Sequence, residues 1–148
     1  MRAPASALVV DAAILIAAAR GRSSGAVLAA ARAAALVTTD RAVAEARRRI
    51  EFGLKRPELQ PIVDALVAEM TVVPVAALSM LLPRATIALT DAVASRNGSI
   101  NDAHLLALAW SADANLWTTD RDFAGTGVAT WSTPNLIRAL ALAAEGRD

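Results

Sequence analysis

Asp11, Asp40 and Asp120 each stand just behind a short apolar or β-branched run, ALVV (7–10), LVT (36–38) and NLWT (115–118). Glu45 and Asp102 lie in stretches of helical spacing. Carboxylates drawn into one cleft repel one another, and desolvation adds to the cost. A hard divalent cation resolves the conflict, because Mg²⁺ and Mn²⁺ prefer oxygen ligands. Other metal chemistry is poorly supplied. The chain has no cysteine and one histidine, His104, so zinc ribbons, thiol nucleophiles and multi-histidine sites are excluded. A Ser-His-Asp triad has only one possible centre.

The elements that must position these acids follow from periodicity. Ala7–Val10, Leu36–Thr38, Thr71–Val75, Asn115–Thr118 and Val128–Trp131 read as strands. Helical stretches separate them, at 12–19, 26–35, 41–55, 57–70, 83–96, 101–111 and from Pro134 to Ala144. Pro74 marks an edge strand or a strand end, and Asn97-Gly98 a turn. Strands alternating with helices predict an α/β fold, a mainly parallel sheet covered on both faces. Ligands of such sheets bind outside the carboxyl ends of the strands. Asp11, Asp40 and Asp120 all fall at that edge.

Each acid has a competing structural role. Asp102 falls in the first turn of a helix opened by Ser99, where an acid also favours the helix dipole. Glu45 could pair with Arg48 or Arg49 at i+3 or i+4. The string TTDR occurs twice, at 38–41 and 118–121, making Asp40 and Asp120 rivals. Asp40 directly precedes a helix and is expected to be its N-cap. Asp120 is followed by Asp122 and a loop with Gly125 and Gly127, where no cap is needed, so the functional role falls to it.

VVDAAILI (9–16), the helix bearing Glu45, INDAHLLALA (100–109), LWTTDRDF (116–123) and WSTPNLIRAL (131–140) together resemble the PIN-domain nucleases, especially the small bacterial VapC-type toxins. The resemblance spans nearly the whole chain, read as a single domain over 1–148. It implies a three-layer α/β/α fold with a five-stranded sheet and an acidic pocket at its carboxyl edge. The family's four acids map onto Asp11, Glu45, Asp102 and Asp120. Asp122 joins as a supplementary ligand, and Thr118 takes the hydroxyl position near the metal. Many members carry Ser, Thr or Asn where this chain has Ala13, which removes a supporting hydrogen bond.

The implied activity is hydrolysis of RNA with Mg²⁺ or Mn²⁺, leaving 5′-phosphate and 3′-hydroxyl ends. The cation would lower the pKa of the attacking water and neutralise charge on the pentavalent state. An acidic pocket repels RNA, so basic groups must flank it. Arg41, Arg121 and the Arg47–Arg49 run are available. Consecutive helical residues splay over about 200°, so only part of the run can line one groove. Thr118, Arg48 and Arg121 are the expected substrate contacts. His104, two residues beyond Asp102, is expected to be packing. Trp110, Trp117 and Trp131 are expected in the core.

A cognate antitoxin and a homodimer are implied by the resemblance, with Leu78–Leu82 (LSMLL) either a groove or ordinary core. The N-terminal Arg2 and Ala-rich stretch have the outline of a secretory leader, but Asp11 interrupts it. No apolar run reaches the ~18 residues of a membrane span, so a soluble, cytoplasmic protein is expected. Two other functions compete. One is a catalytically weak RNA-binding or assembly module on the same fold. The other is an aspartate-based phosphotransferase, which Ala13 and the single lysine, Lys55, disfavour. No glycine-rich phosphate loop is present.

Overall fold

The computed structural model describes residues 3–22, 24–92, 100–119, 123 and 126–146. Its sheet has five strands, all parallel, in the order β3-β2-β1-β4-β5. The strands are β1 (Ala7–Val10), β2 (Ala35–Thr39), β3 (Thr71–Val73), β4 (Asn115–Trp117) and β5 (Thr130–Trp131). Seven α-helices are described: α1 (Ala12–Ala19), α2 (Ser24–Ala33), α3 (Asp40–Arg48), α4 (Gln60–Val67), α5 (Leu82–Ala92), α6 (Ala103–Ala112) and α7 (Thr133–Glu145). None is long and apolar enough to cross a membrane.

The sheet separates two apolar clusters, which makes three layers. Leu8, Val10, Leu36 and Trp117 face one way, onto residues of α1, α2, α4 and α7. Val9 and Leu116 face the other way, onto α5 and α6. This is the period-2 alternation of a strand buried on both sides. Helix α6 is buried along Ala103–Ala109, so its sequence shows little amphipathy and resembles a core segment. Helix α3 bridges the layers at the carboxyl edge. Ala42 packs with the α6-side cluster, and Ala46, with Ile50 just beyond the helix, with the opposite one.

All five expected strands form, β3 at the edge with Pro74 ending it. Two long helical expectations are shorter in the structure. The stretch 41–55 is an α-helix to Arg48 followed by a wide π turn over Arg49–Gly53, then Lys55 at φ +55°. A left-handed residue there stops the helix. The stretch 57–70 begins as a 3₁₀ turn at Pro57–Leu59, and α4 starts only at Gln60. Helix α6 ends on Asp113 at φ +50°, whose N–H bonds back to Ala109 and Trp110 carbonyls. The Asn97-Gly98 turn and Ser99 lie outside the described residues.

Trp117 and Trp131 are core residues, their indole N–H groups donating to Thr133 Oγ1 (2.9 Å) and Asn115 Oδ1 (3.0 Å). Trp110 is half-buried. The Leu78–Leu82 stretch is divided: Leu78 is in the core and Met80 is 87% exposed.

Candidate metal and nucleic-acid site

The strand order reverses between β1 and β4, so the crevice that parallel sheets use for ligands opens there. Asp11 follows β1 and Thr118 follows β4. The registers place Val73 opposite Thr39, Val9 opposite Val37 and Val10 opposite Trp117. Continued to the strand ends, they set Val73, Thr39, Asp11 and Thr118 in one row. Residues in register on parallel strands share a face, and this row shares its face with Val9 and α6.

The repeated TTDR string is resolved by this register. Leu36 lies opposite Leu8, whereas Leu116 lies opposite Val9. The second copy is therefore shifted by one residue along β1, which exchanges the faces of its threonines. Thr38 turns to the α1 side and donates to the Val10 carbonyl at 2.7 Å. Thr118, its counterpart, turns to the α6 side and donates its hydroxyl to Asp11 Oδ2.

Asp11 is 6% exposed. Its Oδ1 accepts from the Ile14 N–H at 2.9 Å, which caps α1, and its Oδ2 accepts from Thr118. The carboxylate is thus held in place without a hydroxyl at position 13. Thr39, not Asp40, is the N-cap of α3: its Oγ1 accepts from Ala42 N at 3.0 Å. Asp40 is the first helical residue, and its Oδ1 accepts from the N–H groups of Arg41 and Val75, both at 2.9 Å. It ties the start of α3 to the chain leaving β3.

Glu45 and Asp102 reach one cleft between α3 and the start of α6. Its volume is about 350 Å³, and Arg41, Arg48, Asn101 and His104 complete its lining. Arg41, Glu45 and Arg48 stand at i, i+4 and i+7, a single stripe of α3. The capping-box partner of Asp102, Ser99, lies outside the described residues. Asp102 occupies the N-cap position of α6, but its side chain makes no capping hydrogen bond. Nor do the described residues pair Glu45 with Arg48 or Arg49.

The arginine run divides as helical geometry requires. Arg48 enters the cleft. Arg47 turns to α4, where Nη2 meets Asp64 Oδ1 at 2.6 Å. Arg49 lines a separate cavity with Ile16, Arg20, Gly53 and Leu54. A larger cavity, about 480 Å³, surrounds Trp110, Asp113 and Asn115. It lies at the amino end of β4, away from the carboxyl edge.

His104 was expected to be packing, and it is 2% exposed. It is also a polar link. Its Nδ1 lies 2.8 Å from Thr39 Oγ1, joining the cap of α3 to α6. Burial pushes the imidazole down to about 4; the Arg41 guanidinium adds to the shift and Asp40 opposes it. The sequence signal for this link was the lone histidine two residues past Asp102, but no spacing rule pairs it with Thr39, 65 residues away. Arg41, one of the basic groups available to flank the pocket, enters the cleft, and Asn101 is a cleft residue that spacing did not single out.

Glu45 and Asp102 offer oxygen donors only, which suits Mg²⁺ or Mn²⁺. Among the described residues, no three His, Cys, Asp or Glu side chains are close enough to hold a metal ion. The remaining expected members, Asp120, Arg121 and Asp122, lie outside the described residues.

Solved structures of similar fold include VapBC2 from Rickettsia felis bound to a DNA fragment from its promoter. That match has a TM-score of 0.69 and 13% identity over 85% of this chain and 98% of the other. PAE2754 from Pyrobaculum aerophilum matches with a TM-score of 0.62 and 17% identity, over 91% and 95% of the two chains. No curated protein matches the sequence. A sequence profile of the PIN domain aligns with residues 9–141, from β1 into α7, and takes in Asp11, Glu45 and Asp102. With the five-stranded parallel sheet that this alignment spans, the chain belongs to the PIN domain family.

Proposed function

We propose that this protein is a metal-dependent endoribonuclease, acting as the toxin of a toxin–antitoxin pair. PIN domains are typically nucleases, and the reading of this chain rests on one observation above others. Glu45 and Asp102, 57 positions apart in the sequence, line one cleft at the sheet's carboxyl edge, beside the row that holds buried Asp11. Asp11, Glu45, Asp102 and Asp120 are the acids assigned to Mg²⁺ or Mn²⁺, with Asp122 supplementary. A bound cation would supply activation of water and charge neutralisation at the scissile phosphate.

The chain's own residues have separable tasks. Thr118 fixes the Asp11 carboxylate through its hydroxyl, a positioning role beside the metal and the substrate. Arg48 and Arg121 draw the phosphate backbone toward an otherwise anionic site. The protein is assigned to the cytoplasm, with RNA as substrate. A cognate antitoxin and a second copy of the chain are its expected partners. The Rickettsia felis fold relative was crystallised as VapBC2 on promoter DNA, which supports the antitoxin assignment.

Replacing Asp11 by Asn should abolish RNA cleavage while circular dichroism stays that of the wild type. Full activity in that variant would contradict the assignment. The weak RNA-binding alternative predicts RNA retention without degradation, whether or not a chelator is present.

A further inference from the structure

Among the described residues, one ring nitrogen of His104 is left without a hydrogen-bond partner. Nδ1 meets Thr39 Oγ1, so the unpartnered nitrogen is Nε2. The Thr39 oxygen already accepts from Ala42 N. The hydroxyl proton of Thr39 has one acceptor among the described residues, the ring's Nδ1. A neutral ring that accepts at Nδ1 carries its proton on Nε2. A buried donor left without an acceptor costs roughly 1–3 kcal/mol. His104 also lines the α3–α6 cleft, together with Arg41, Arg48 and Asn101 and with the acidic pair Glu45 and Asp102. The field of Arg41 is felt at the ring. An N–H cannot ligate a metal, whereas it can donate to an oxyanion.

We infer that His104 Nε2–H and the Arg41 guanidinium form an anion subsite in this cleft, taking a non-bridging oxygen of a phosphate group. Arg41 and Arg48 flank Glu45 along α3, about 10 Å apart by helical rise, so the subsite stands to one side of the acidic pair. A substrate strand would place there a phosphate neighbouring the scissile one. That last identification rests on the nuclease reading; anion binding itself does not.

The single histidine makes the test clean. The full chain, labelled with ¹⁵N-histidine in EDTA, is titrated with inorganic phosphate, and the two ring nitrogens are followed by NMR. Nε2 should carry the proton, and its resonance should move with phosphate. Arg41→Ala should weaken phosphate binding by about ten-fold or more. Arg47→Ala, whose guanidinium is engaged with Asp64, should leave it unchanged. His104→Asn keeps an acceptor near the Nδ1 position for Thr39 and removes Nε2. It should retain the α3 cap, read as a wild-type denaturation midpoint near neutral pH, and lose phosphate binding. An Nε2 signal unmoved by phosphate, or an Arg41→Ala titration equal to that of Arg47→Ala, would overturn the subsite. Phosphate binding without metal-dependent RNA cleavage would instead remove the nuclease reading and leave the subsite standing.

Discussion

Thr118 donates its hydroxyl to Asp11 across the gap where the strand order reverses, joining the ends of β4 and β1, 107 residues apart. The bond positions a buried carboxylate, and hydrogen bonds to a charged acceptor contribute about 1.5–3 kcal/mol. Thr118→Val should therefore lower stability by about 2 kcal/mol in urea unfolding. It should also weaken Mn²⁺ binding, measured by titration calorimetry. Thr118→Ser should restore both.

Thr39 serves two partners with one oxygen, the N–H of Ala42 and the ring of His104. Loss of an N-cap costs about 1 kcal/mol, and the orphaned imidazole nitrogen adds a similar amount or more. Thr39→Ala should lose roughly 2–3 kcal/mol, and Thr39→Ser much less. A Thr39→Ala variant with an unchanged urea midpoint would contradict the link between α3 and α6.

Stability should fall on acidification through the histidine window. Below pH 6.5 the unfolded chain takes up a proton at His104, which the folded chain refuses until about pH 4. Unfolding is then coupled to proton uptake, and stability drops by at most about 1.4 kcal/mol per pH unit between those limits. The contribution is present above pH 6.5 and is lost by pH 4. His104→Asn should flatten this part of the profile; an equal slope in both proteins would assign the effect to other groups.

The three consecutive arginines should behave differently. Arg48→Ala should reduce RNA affinity and lower the slope of log K against log salt by about 0.7, the loss of one single-strand phosphate contact. Arg47 and its partner Asp64 are both well exposed, so Arg47→Ala should cost under about 1 kcal/mol and leave RNA binding intact. Fluorescence anisotropy over a salt series distinguishes the two.

The alternation of β-branched runs with helical stretches was enough to read a parallel sheet, because strands buried on both faces must be short and apolar. Asp11 was legible for the same reason, standing where β1 ends at the carboxyl edge. The division of the two TTDR strings was not. It depends on a one-residue difference in register against β1, which belongs to the pairing of strands and leaves no local signal. Thr39, not Asp40, became the cap because β2 runs one residue further than its apolar pattern. His104 looked like packing since its partner lies on another element. Arg41 joined the cleft only through the helical stripe it shares with Glu45 and Arg48.

Asp102 carries the most direct test of the whole account, since its carboxylate lines the cleft without capping α6. Purified protein, freed of any bound inhibitor, is incubated with structured RNA in Mg²⁺, Mn²⁺ or EDTA, beside Asp102→Asn. Cleavage by the wild type with either cation, none in EDTA and none by the variant is the predicted result. Cleavage that persists in EDTA, or an Asp102→Asn protein as active as the wild type, would contradict a carboxylate-held cation as the centre of this protein's chemistry.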